Sequence, residues 1–163
     1  MKQTFLSLLA FLFFTVVSGQ NLTFENIEKN SGQYYTNIEA TLLSANFEFV
    51  NYDNTNKKLT YQYTSESNSD PSNKFCYIWR SPDDKAKIIS YFTTNQQEYI
   101  NWKKTILLKN YFTKPLVDEG GGNTKEWFFS KQYGVKILKK QLDNADKSKK
   151  ITAYILTVIK QKK

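Results

Sequence analysis

The chain has no histidine, one cysteine and one arginine among its 163 residues. Without imidazole, Ser-His and Cys-His nucleophile systems and histidine-based zinc sites are excluded. A lone thiol, Cys76, excludes an intramolecular disulfide, a Cys-x-x-Cys redox pair and thiolate metal clusters. It sits in an apolar strand pattern, residues 75–79, and reads as a small buried side chain. With Arg80 the single guanidinium, forked reading of base edges is nearly absent, which argues against a nucleic-acid partner. Gly120-Gly121-Gly122 lacks the frame of a phosphate-binding loop, so no nucleotide cofactor is expected. Acidic turns at Asp118/Glu119/Asn123 and Asp143/Asn144/Asp146 have no EF-hand spacing and read as ordinary turns, not metal sites. No spacing pairs Glu48, Glu66 or Glu126 as an acid and base, which leaves a carboxylate-dependent hydrolase the weakest of the function classes.

Long apolar runs are also absent after residue 17. The one at the start, residues 5–17, follows Lys2 and is followed by Val17 and Gly19 at signal-peptidase positions. It reads as a secretory signal covering residues 1–19, too short for a comfortable membrane span. Residues 20–163 then suit one exported domain, secreted or periplasmic, able to bury a core without disulfide staples. Asn21-Leu22-Thr23 is a glycosylation sequon at the mature start. The net charge of +8 is uneven: residues 131–163 hold ten lysines against Asp143 and Asp146. Residues 20–130 are almost neutral, so the basic character belongs to the C-terminal strands.

Residues 31–45 carry Tyr34, Ile38, Leu42 and Ala45 at helical spacing. Strands are expected at 57–64, 74–80 and 87–93, with a further one after Phe47. A second helix begins at Asn95, a cap candidate with Glu98 three residues on, and buries Tyr99, Trp102, Ile106 and Leu107. A weak edge strand at 111–117 contains Pro115; strands at 125–129, 133–141 and 149–160 follow. The last is apolar on both faces, as a central strand would be. Shifted by 65, Asn95, Tyr99, Leu107, Leu108 and Phe112 fall on Asn30, Tyr34, Leu42, Leu43 and Phe47. The expected fold is α+β: two helix-plus-four-strand repeats, about 20–94 and 95–163, forming one curved antiparallel sheet with both helices on one face.

The segments LTFENIEK, NFEFVN, KLTYQYT, KIISYFTTN and EYINWKKTI resemble a group of uncharacterised small secreted proteins of Bacteroidetes. That resemblance covers nearly the whole mature chain and implies export, with no activity attached. The order of elements is also similar to the architecture of the secreted β-lactamase inhibitory proteins. This likeness is one of fold alone and carries no contact residues.

Two features are left as candidate surfaces. Leu59, Tyr61 and Tyr63, then Phe75, Tyr77 and Trp79, then Trp127 and Phe129 alternate along strands. They are either the core beneath the helices or an amphipathic platform for a protein or glycan. The less apolar opposite stripe, Thr60, Gln62, Cys76, Ile78 and Arg80, favours the core. The second feature is the lysine cluster that includes Lys136, Lys139, Lys140 and Lys150. It is either a solvated sheet edge or an attachment to anionic envelope material. The reading is a non-enzymatic exported binding or inhibitory module, with a lysine-anchored envelope protein as the alternative. Its candidate binding residues are Tyr61, Tyr63, Tyr77, Trp79, Trp127, Lys136, Lys139, Lys140 and Lys150.

Overall fold

The computed structural model describes residues 22–64, 74–143 and 149–161. The expected signal segment (residues 1–19), Asn21 of the sequon, the polar stretch that includes Glu66, and Asn144, Asp146 and Lys147 lie outside them. Three helices are described: α1 (Phe24–Asn30), α2 (Tyr35–Ser44) and α3 (Gln96–Leu108). The strands are β1 (Phe47–Asp53), β2 (Lys58–Tyr63), β3 (Lys74–Arg80), β4 (Ala86–Thr93), β5 (Phe112–Thr113), β6 (Val117–Gly120), β7 (Asn123–Phe129), β8 (Tyr133–Asp143) and β9 (Lys150–Lys160). All pair antiparallel in one sheet, ordered β1-β2-β3-β4-β9-β8-β7-β5, with β6 also on β7. The last strand of the chain is thus central, between β4 and β8, as its two apolar faces require.

Local chemistry sets the helix ends. Thr23 Oγ1 caps α1 by accepting from Asn26 N at 3.2 Å. Asn95 Oδ1 caps α3, accepting from Gln97 N at 2.8 Å and Glu98 N at 3.4 Å. The α2 start differs from the expected residue 31. Gly32 N donates to Ala86 O, and Ala86 N donates to Gln33 O, so these residues join the sheet end instead of a helical turn. Tyr34 then caps α2 with no side-chain bond, and Asp84 O takes the Tyr35 N–H. Tyr34 is therefore 60% exposed rather than part of the buried stripe. Pro115 splits the expected 111–117 strand into β5 and β6. The hairpin after β6 turns at Gly121 and Gly122, whose φ of +61° and +79° suits a tight two-residue loop.

All three helices pack on one face of the sheet. Phe24 and Ile27 of α1, Ile38 and Leu42 of α2, and Trp102 and Ile106 of α3 are buried. Beneath them lie Leu59, Tyr61, Cys76, Ile78, Ile89, Tyr91, Val135, Ile137, Leu156 and Val158. Each fully buried large apolar side chain stabilises the fold by about 1.5–3 kcal/mol. The Trp102 and Tyr91 rings meet edge-on at 5.4 Å, and Tyr99 stacks on Tyr154 at 4.5 Å.

Both longer helices end at an asparagine in the left-handed region, Asn46 (φ +61°) and Asn110 (φ +56°). These are 64 residues apart. The same shift brings buried Ile38 onto Trp102, Leu42 onto Ile106 and Phe47 onto Tyr111. It also brings exposed Leu43 onto exposed Leu107. The expected shift of 65 fails at these positions: it sets buried Leu42 on Leu107, which is 54% exposed, and buried Phe47 on Phe112, which is 77% exposed.

Candidate functional site

The sheet register decides which side chains share a face. On the side away from the helices, Gln62, Phe75, Phe92, Ile155, Leu138 and Lys125 form one row across six strands. Thr60, Tyr77, Ser90, Thr157, Lys136 and Trp127 form the next. Lys58, Trp79, Ile88, Ile159, Gly134 and Phe129 form the third. Every helix contact described above falls on the opposite side. The rings here are half-buried by one another, not covered by a helix.

Two aromatic ladders frame this open face. Phe75 lies 6.3 Å from Tyr77, and Tyr77 lies 6.2 Å from Trp79 along β3. Trp127 and Phe129 stack at 5.8 Å on β7. Four strand spacings, about 19 Å, separate the ladders. Between them, at the β4–β9 seam, the middle row is small, flanked by Ile88 with Ile159 and Phe92 with Ile155. Ser90 and Thr157 share a hydrogen bond of 2.8 Å and are each 6% exposed. Burial pushes the Tyr77 hydroxyl above its ordinary titration range, so the face presents it as a neutral donor and acceptor.

Lysines stand over the rings. Lys58 Nζ is 5.6 Å from the Tyr77 centroid, Lys136 Nζ 5.7 Å from Trp127 and Lys114 Nζ 5.1 Å from Phe129. No position in the three rows is a carboxylate. Glu119 of β6 reaches in from the margin and binds Lys125 at 2.9 Å and Lys140 at 2.7 Å. The face is therefore apolar at its centre, cationic between its rings and neutralised at one corner.

This arrangement divides the residues that the sequence grouped together. Tyr77, Trp79, Trp127 and Lys136 do share the open face. Tyr61 does not. It is fully buried under α2, and its hydroxyl donates to Glu39 Oε1 at 2.6 Å. Tyr63 also faces the helix side, where it packs on Phe47 and lies 4.5 Å beneath Lys74 Nζ. Cys76, Ile78 and Arg80, assigned to the stripe of Thr60 and Gln62, belong with Tyr61 instead. The lysines separate as well. Lys140 is on the open side bound to Glu119, Lys139 pairs in register with Tyr154 of the helix side, and Lys150 lies opposite Asp143 at the far end of β9. They do not make one basic patch.

Ile88, Ser90, Phe92, Leu138, Ile155, Thr157 and Ile159 were not singled out by sequence. The signal was there in the apolar residues on both faces of β9 and in the alternate Ile88, Ser90 and Phe92. Candidate acids are scattered: Glu48 is exposed on β1, whereas Glu126 on β7 binds Lys103 at 2.9 Å. Six strand spacings, about 29 Å, lie between those strands. Among the described residues no cluster of three acidic or thiol side chains could hold a metal ion. Comparisons with protein-family models, curated proteins and solved structures return no match to the chain.

Proposed function

We propose that the chain is an exported, non-enzymatic binding module that docks a protein partner on the open face of its sheet. The observation that carries this reading is the one-sided placement of the helices, which leaves a six-strand aromatic floor without a helical cover. A floor of Trp, Tyr, Phe and Ile side chains, with Lys58, Lys114 and Lys125 towards its margin, has the anatomy of a protein interface. Its breadth and low relief fit a protein surface better than a small ligand. The absence of carboxylates from the rows selects a partner with acidic groups around an apolar centre. Export rests on the charged and apolar N-terminal segment.

We also infer that the two halves descend from one helix-and-strands unit. The mirrored strand order about the β4–β9 pair, the two asparagine helix ends and the burial match at a shift of 64 support this.

The test is affinity capture from the native envelope and medium, with wild type compared against Trp79→Ala/Trp127→Ala. A single stoichiometric protein retained by wild type in high salt, and lost by the double variant at unchanged thermal stability, is the expected result. Equal capture by both forms, or retention of glycan alone, would sink the reading.

A further inference from the structure

At the end of the sheet, the β3–β4 turn, the tail of β9 and the α1–α2 connection surround a cleft of about 450 Å³. That volume falls within the range of about 300–1,000 Å³ usual for small-ligand sites. Arg80, Lys85, Lys87 and Lys160 line it, with Asp83 and Gln161. Two of the four cations are matched: Lys85 binds Asp83 at 2.7 Å, and Arg80 binds Asp84. Lys87 and Lys160 have no carboxylate partner among the described residues. No carboxylate among the described residues therefore offsets either of these two lining lysines.

Two of its cations, Arg80 and Lys160, are held in place by packing. The Arg80 guanidinium lies 4.2 Å from the Tyr35 ring and 5.5 Å from that of Tyr52. Ring contact orients the planar fork without consuming all its N–H groups. Lys160 Nζ lies 4.3 Å from the Tyr133 centroid and donates to Gln132 Oε1 at 3.4 Å, a bond that a stronger acceptor can replace. Its stem runs against Gly32, where a Cβ would meet Lys160 Cγ at 2.8 Å. Gly32 also has φ +83°, so glycine meets both the backbone and the space requirement. The lysine stem is thereby confined along the cleft wall.

We propose that this cleft binds the phosphate of a small phosphate monoester, with Lys87 and Lys160 supplying the charge and Arg80 the N–H fork. A monoester carries about −1.5 to −2 at neutral pH, which matches these two lysines. Its oxygens suit a guanidinium and ammonium donors together. The site is separate from the open face, since it uses the helix-side ends of β3 and β9, and it does not depend on the docking reading.

Isothermal titration of the purified protein with inorganic phosphate and with glucose 6-phosphate tests the proposal, with phosphatidic acid vesicles as a sedimentation arm. Wild type is expected to bind phosphate saturably, and Lys87→Gln and Lys160→Gln each to bind about tenfold more weakly. Both lysines are at the surface end of the sheet, so their melting temperatures should stay near wild type, and Trp79→Ala/Trp127→Ala should bind as wild type does. Tighter binding of glucose 6-phosphate than of inorganic phosphate supports a soluble ester, and tighter binding of the vesicles supports a lipid headgroup. No saturable phosphate binding, or equal binding by the lysine variants, would overturn the proposal.

Discussion

Below the N-terminal turn of α3, one lysine and one glutamate are both taken out of water. Lys74 Nζ lies 3.1 Å from Glu98 Oε1, with side-chain exposures of 2% and 6%. Tyr91 donates its hydroxyl to Glu98 Oε2 at 3.0 Å, and the Tyr63 ring covers the ammonium. Removing Lys74 strands the Glu98 carboxylate, whereas replacing both takes the buried pair out together. Glu98→Leu or Lys74→Met alone should each destabilise by about 3–5 kcal/mol. The double variant should recover most of that loss, read as a double-mutant cycle of urea midpoints. Additive losses would show that the pair is not coupled. Cys76 is a contrasting case, buried in the apolar core. Burial pushes its thiol far above the ordinary range, so it is inert while the chain is folded.

Elements are tied together by charges of a different kind, at the surface. Glu119 joins β6 to β7 through Lys125 and to β8 through Lys140. Hydrogen bonds from Lys140 and then Lys125 lower its carboxyl from 4.5 to about 2. Because the folded value is depressed, the tie is present above pH 4.5 and is lost as the pH falls through about 2. Carboxyl-carbon NMR should place the Glu119 midpoint near 2, and Lys125→Gln/Lys140→Gln should return it towards 4.5. A midpoint near 4.5 in wild type would show that these ties do not persist in solution. At this scale much was readable in the chain. The bounds of β3 and the Asn95 cap follow from local side-chain chemistry. The central place of β9 follows from its two apolar faces. Face assignment did not follow, because the parity that faces the helices flips from odd numbers in β2 to even numbers in β3. That flip is set by the pairing of Tyr61 with Cys76, and aromatic likeness alone grouped Tyr61 with Tyr77. The α2 start was hidden for a related reason: the competitor for residues 32 and 33 is Ala86, remote in sequence.

For the molecule as a whole, β9 is the joint. It is paired over its length with β8 and along Ile88–Thr93 with β4, and its Leu156 and Val158 lie in the core. Deleting residues 150–163 should therefore abolish cooperative unfolding in both halves, not fray one end. Circular dichroism melts and amide exchange on β1–β4 would check this. A truncated chain that kept protected amides in β2 and β3 would show that the first half is self-sufficient. Within the intact protein, β9 amides should be among the slowest to exchange, because opening them exposes both neighbours.

The position of β9 also bears on how the chain is made. Synthesis delivers β4 before β9, with the β4 edge waiting for a partner that is translated only after β5–β8. Until β9 emerges, that edge has no strand to pair with and the sheet cannot be completed. The same delay leaves unpaired backbone groups open to a holding chaperone until β9 closes over them.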